Sequence, residues 1–124
     1  MKVMIVEDNP DMRQMIRRMV SDIADEINEC SSGAEAITLY PKLKPDWVLM
    51  DVEMENVNGI TAVRWIKADF PEAKILVITN YDDEIIRTTA EQAGASGYVL
   101  KDNLLEVRSI LSASANSTTQ ENMV

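Results

Sequence analysis

Val3-Met4-Ile5-Val6-Glu7-Asp8-Asn9-Pro10 runs from an apolar stretch through two adjacent acids to a side chain that can cap a helix and a proline suited to its first position. Downstream, Met12, Met15, Ile16, Met19 and Ile23 recur every three to four residues, which predicts an amphipathic first helix. A short apolar run leading straight into a segment of helical period is the start of a strand–helix unit, and the same unit recurs along the chain. Strands are predicted at Val3 to Val6, Ile27 to Cys30, Trp47 to Met50, Ile75 to Thr79 and Tyr98 to Leu100. Most of these runs are apolar on both faces, as parallel strands covered by helices on each side require.

The intervening segments carry helix punctuation. Ser32 can cap a second helix through Ala34, Ile37 and Tyr40, with Pro41 and Pro45 ending it. Asn58-Gly59 is a turn leading into a third helix through Ile60, Val63 and Ile66, closed by Pro71. A fourth helix is predicted from Asp82 to Ala93, stopped by Gly94, and a fifth from Leu104 to Leu111. This alternation predicts an α/β fold, a doubly wound five-stranded parallel sheet with five helices. With 124 residues, 46% of them hydrophobic, the chain suits a single core. The domain is expected over residues 1–113. Residues 114–124 are expected to form a polar, disordered tail, following the Ser, Thr, Asn and Gln enrichment that begins at Ser112.

Composition removes whole classes of chemistry. There is no histidine, so histidine triads, histidine zinc sites and an internal phosphohistidine donor are excluded. Cys30 is the sole cysteine, which excludes an intramolecular disulfide and fits a reducing cytoplasm. The net charge of −9 argues against direct nucleic-acid binding by this segment and against anionic lipid surfaces. Neither a signal peptide nor a membrane span is expected, because Glu7 and Asp8 interrupt the opening apolar run.

The remaining polar candidates fall at strand ends. Glu7 and Asp8 close the first strand, Asp51 the third, Thr79 the fourth and Lys101 the fifth, at the rim where doubly wound sheets bind ligands. Taken singly, Glu7 and Asp8 would be a helix-start pair, Lys101 a solvated lysine and Thr79 a strand residue. Together, three acids repel one another unless a cation compensates, and hard oxygen donors with room for water suit Mg. A metal and the Lys101 ammonium flanking one carboxylate would make a pocket for a transferring phosphoryl group, with Asp51 as nucleophile.

Ile5-Val6-Glu7-Asp8, Val48-Leu49-Met50-Asp51-Val52-Glu53-Met54, the strand ending at Thr79, and Gly94-Ala95-Ser96-Gly97-Tyr98-Val99-Leu100-Lys101 together closely resemble the response-regulator receiver domain, over roughly residues 2 to 111. The resemblance implies a flavodoxin-like three-layer sandwich acting as a phosphorylation-dependent switch of a two-component system, a regulatory domain rather than an enzyme. It implies Asp51 as phosphoacceptor, and Mg bound by Asp8, Asp51 and the Glu53 carbonyl, with Glu7 acting through water. Lys101 would pair with the phosphoryl oxygens, the Thr79 hydroxyl would move to bond them, and Tyr98 would turn inward in the active state. The implied partner is a histidine kinase or phosphotransfer protein, and a homodimer is compatible with the family. Gly97-Tyr98-Val99-Leu100-Lys101-Asp102 is similar to receivers that precede a helix-turn-helix output domain.

Several positions depart from the family pattern. Glu55 stands where proline is usual, Asn80 occupies a position usually filled by a small residue and is followed by Tyr81, and Asp102 replaces a proline commonly preceded by a cis bond. The Asn80-Tyr81 pair bears on water access to Asp51 and hence on dephosphorylation rate. Rivals remain beside the receiver: a degenerate one serving only as an interaction module, and a flavin- or nucleotide-binding flavodoxin-like protein. The loop Glu7-Asp8-Asn9-Pro10 disfavours the latter because it repels anions. A phosphatase with an aspartyl intermediate is a third.

Overall fold

A computed structural model describes residues 1–53 and 58–123, with residues 115–123 described as backbone alone. Strands β1 (Lys2–Val6), β2 (Glu26–Cys30), β3 (Trp47–Asp51), β4 (Ile75–Thr79) and β5 (Gly97–Leu100) alternate with helices α1 (Pro10–Val20), α2 (Gly33–Leu43), α3 (Gly59–Asp69), α4 (Glu84–Ala93) and α5 (Leu105–Met123). A 3₁₀ turn at Lys101–Asn103 links β5 to α5. The five strands pair in parallel in the order β2-β1-β3-β4-β5, so the chain forms the predicted doubly wound sandwich. After β2 the strand order reverses across β1 to β3. The carboxyl ends of those two strands therefore border the crevice of a switch point.

The two-residue period of the strands divides the core into two layers. Met4, Val6, Val48, Met50, Ile75 and Val77 face Ala36 and Tyr40 of α2, Ala62, Val63 and Ile66 of α3, and Ala90 and Ala93 of α4. Val3, Ile5, Leu49, Leu76, Ile78 and Val99 face Ile16 and Val20 of α1 and Val107 and Leu111 of α5. β1, β3 and β4 are almost wholly buried, whereas β2, at the sheet edge, exposes Glu26 and Glu29.

The predicted caps Asn9 and Ser32 form, accepting from the amides of Met12 and Glu35 at 3.0 and 3.2 Å, and Asn58, read as part of a turn, also caps α3 by accepting from the Thr61 amide at 2.9 Å. Asp83 caps α4 from within the segment predicted as helix. Gly94 ends α4 at φ 104°, a left-handed conformation that only glycine adopts without strain.

Four expectations are corrected. Pro41 lies inside α2 rather than ending it: the helix continues to Leu43 and closes at Lys44, whose φ of 44° lets its amide reach the Tyr40 carbonyl. Ala34 is exposed, and the buried face of α2 is Gly33, Ala36 and Tyr40. Met15 does not fill the core; it is 51% exposed, because α1 buries Ile16 and Val20 and presents its neighbouring face outward. The fifth helix starts at Leu105 and continues as helical backbone to Met123 instead of stopping at Leu111, although its buried anchors Val107 and Leu111 lie within the predicted span. Among the described residues no cis peptide bond occurs, including before Asp102. Glu55 lies outside the described residues.

Candidate functional site

Because β1 and β3 are adjacent in register, with Val6 opposite Met50, the residues that follow them emerge side by side. Glu7 still belongs to the ladder through its amide, which donates to the Cys30 carbonyl at 3.0 Å, and this turns its side chain into the crevice. Glu7 and Asp51 are both buried, at 0% and 2% exposure, while Asp8 is exposed. From the far edge of the crevice, the 3₁₀ turn after β5 brings Lys101 over both acids. Its Nζ lies 3.0 Å from Glu7 Oε1 and 3.2 Å from Asp51 Oδ1.

One ammonium thus faces two buried carboxylates. Burial and the nearby Asp51 raise the Glu7 pKa to about 7, against the opposing pull of Lys101. For Lys101, burial would lower the pKa, but its contacts with Glu7 and Asp51 outweigh that and leave it raised. The charge count remains short of cations. Oxygens of Glu7, Asp8 and Asp51 lie within 4.8 Å of one another, a spacing at which one cation can be shared. Asp51 Oδ1 also accepts from the Glu53 amide at 3.1 Å, but Oδ2 has no hydrogen-bond partner despite being buried. An orphaned carboxylate oxygen in an acidic crevice fits a hard divalent cation or a covalent modification.

The start of α3 lies close against the end of β3. A Cβ on Gly59 would stand 2.1 Å from the Asp51 carbonyl oxygen, so only glycine lets α3 begin there. The rim of β4 joins through Glu53. Thr79, fully buried, donates its hydroxyl to Glu53 Oε1 at 2.7 Å, and the Asn80 amide donates to the same oxygen at 2.7 Å. The Asn80 side chain reaches Oε2 at 3.3 Å. Burial would raise the Glu53 pKa, but these donors and Lys101 hold it below its ordinary value. Tyr98 is half-buried; its hydroxyl donates to the Tyr81 carbonyl and its ring stacks under Arg87 at 4.6 Å.

The sequence reading therefore brings Glu7, Asp8, Asp51 and Lys101 to one pocket, with Thr79 attached to it by way of Glu53. That reading missed the Glu53 carboxylate, having considered only the Glu53 carbonyl. The available signal was register: Asp51 pairs with Ile78, so the residues just after each strand are neighbours.

The family model for the response regulator receiver domain matches residues 3–112. The chain is 36% identical over 107 residues to response regulator GacA of Pseudomonas aeruginosa, covering 85% of this chain and 50% of that protein. It is likewise 36% identical over 101 residues to chemotaxis protein CheY of Thermotoga maritima, covering 81% of this chain and 84% of that one. Among solved structures, the isolated receiver domain of RcsB from Salmonella enterica serovar Typhimurium, in the presence of the phosphomimetic BeF3−, superposes with a TM-score of 0.79 at 25% identity, covering 91% and 88% of the two chains.

The chain belongs to the response regulator receiver family, the regulatory, non-enzymatic switch domain of two-component systems. It spans about half the length of several of the regulators it matches, GacA among them. No helix among the described residues is long and apolar enough to cross a membrane.

Proposed function

We propose that Asp51 accepts a phosphoryl group from the phosphohistidine of a histidine kinase or phosphotransfer protein. The observation that carries this reading is a buried Asp51 whose Oδ1 meets Lys101 at 3.2 Å while Oδ2 is left without a partner. An Asp51 oxygen forms the new bond to phosphorus, the phosphorus–nitrogen bond breaks, and the imidazole leaves with the bonding pair and takes up a proton. Lys101 balances charge on the equatorial oxygens, and burial of the pocket strengthens that attraction. Asp8, Asp51 and the Glu53 carbonyl would hold Mg, with Glu7 acting through water. Bound there, Mg supplies the positive charge that lets the acids and a phosphoryl group share one pocket.

The chain's own contribution is to hold Asp51 in line, exclude water from its inner side and supply Lys101; in this way the domain assists its own phosphorylation and dephosphorylation. Thr79 and Tyr98 form the switch, and the surface of α4 and β5 is what changes. We place the folding unit at residues 1–113 and the setting in the cytoplasm. The surface so altered would be read by an output domain or by a second copy of the chain. The likeness to the transcriptional regulatory protein DegU of Brevibacillus brevis favours an output that controls transcription.

Intact mass after incubation with Mg and a small acyl phosphate tests the reading. A gain of one phosphoryl group is expected, and it should vanish in Asp51→Asn. A gain persisting in that variant removes Asp51 from the role. No gain in the parent leaves a module that acts by contact alone.

A further inference from the structure

We infer that the Glu53 carboxylate is a positioning group that holds the Thr79 hydroxyl and the Asn80 amide in the unphosphorylated state, so that a phosphoryl group on Asp51 must take them from a resident anion. The inference rests on the reading of Asp51 as phosphoacceptor.

The geometry leaves Thr79 no spare donor. A hydroxyl has one proton, and that of Thr79 goes to Glu53 Oε1 at 2.7 Å. The Asn80 amide, also with one proton, goes to the same oxygen at 2.7 Å, and the Asn80 side chain reaches Oε2 at 3.3 Å. Three donors on one carboxylate make a charge-assisted cluster of the stronger kind. Its two tightest bonds, from the Thr79 hydroxyl and the Asn80 amide, converge on the single oxygen Oε1.

Glu53 is attached to the acceptor itself, because its own amide donates to Asp51 Oδ1 at 3.1 Å. The residue thus touches Asp51 with its backbone and Thr79 with its side chain. Thr79 also accepts from the Tyr81 amide at 3.2 Å, and the Tyr81 carbonyl receives the Tyr98 hydroxyl. Release of Thr79 is therefore felt at Tyr98 through three consecutive residues. A resident competitor lowers the apparent affinity for any phosphoryl mimic in proportion to how completely it occupies the donors.

The test compares beryllofluoride binding, with Mg, to the parent, Glu53→Gln and Glu53→Ala, each alone and in a Thr79→Val background; either substitution keeps the Glu53 carbonyl. Tightening is expected in the order parent, Glu53→Gln, Glu53→Ala, with the last about tenfold tighter. In the Thr79→Val background the gain should largely disappear. In the metal-free parent the Asn80 amide resonance should lie downfield and move upfield in Glu53→Ala, a readout independent of any phosphoryl mimic. If the parent binds and neither variant tightens, the inference fails while the reading of Asp51 stands. An equal gain with and without the Thr79 hydroxyl also overturns it, since that would be simple removal of charge. Binding by Glu53→Ala but not by the parent supports it in extreme form. Binding by none of the variants overturns the reading of Asp51 and the inference together.

Discussion

At the carboxyl rim of the sheet, Glu7 and Asp51 are buried together against a single Lys101 that is itself only 8% exposed in its side chain. At the amino rim, the Met1 ammonium meets Asp25, and Lys2 lies 3.9 Å from Glu26 with side chains 40% and 53% exposed. Nearby, Arg108 grips Asp22, donating to Oδ2 at 2.9 Å. In each of these amino-rim pairs the acid is at least half exposed to water, where a pair neither costs nor contributes much. The carboxyl rim gathers acids out of water with too few cations. Such an arrangement is expensive for folding and useful only to something that binds there.

The contrast can be broken most severely at Lys101. Lys101→Met should lower stability by about 4 kcal/mol in metal-free urea unfolding, because two buried acids lose their shared partner. A loss no larger than that of an ordinary surface substitution would mean that the acids are better solvated than their burial indicates. Next in size is Gly59→Ala, expected to cost about 3 kcal/mol by driving a methyl group into the Asp51 backbone and to blunt acyl-phosphate labelling in the same sample.

A smaller effect is expected from pH. Glu7 holds its proton up to about 7 when folded, against an ordinary value of 4.5. Between those values the folded state binds more protons than the unfolded one, so stability is full below the lower value and falls as pH rises towards the upper. The metal-free chain should lose on the order of 2 kcal/mol across that window, and Glu7→Gln should flatten the slope. Added Mg should oppose the loss, since it favours the ionised acids. The smallest response belongs to the amino rim, where Arg108→Gln should leave the urea midpoint almost unmoved. A large shift there would erase the distinction between the rims.

Much of this was legible because local signals agreed with the global fold. Asn9-Pro10, Ser32, Asn58-Gly59 and Gly94 announce helix ends by chemistry that does not depend on tertiary context. The acids and Lys101 were readable because parallel strands deliver their terminal residues to one rim. Other features were not legible for stated physical reasons. Pro41 sits near the end of α2, where the missing amide removes a single ladder bond and packing by Ala36 and Tyr40 carries the helix past it. Met15 follows the helical period but lies just off the buried stripe. The contacts of Glu53 join residues 26 and 27 positions apart, through the ends of two paired strands. Periodicity gives the strands but not which side chain crosses between them.

The division of the core by the sheet has a consequence for how such a chain can drift over generations. Side chains under α2, α3 and α4 meet those under α1 and α5 only across the backbone of the strands. A change of volume at Ile75 must be absorbed by neighbours such as Ala62 or Val63, and Val107 cannot relieve it. Compensating substitutions should therefore stay within one layer. The α4 side, which holds Tyr98, is then free to be retuned for new listeners while the α1 and α5 side keeps its inherited packing.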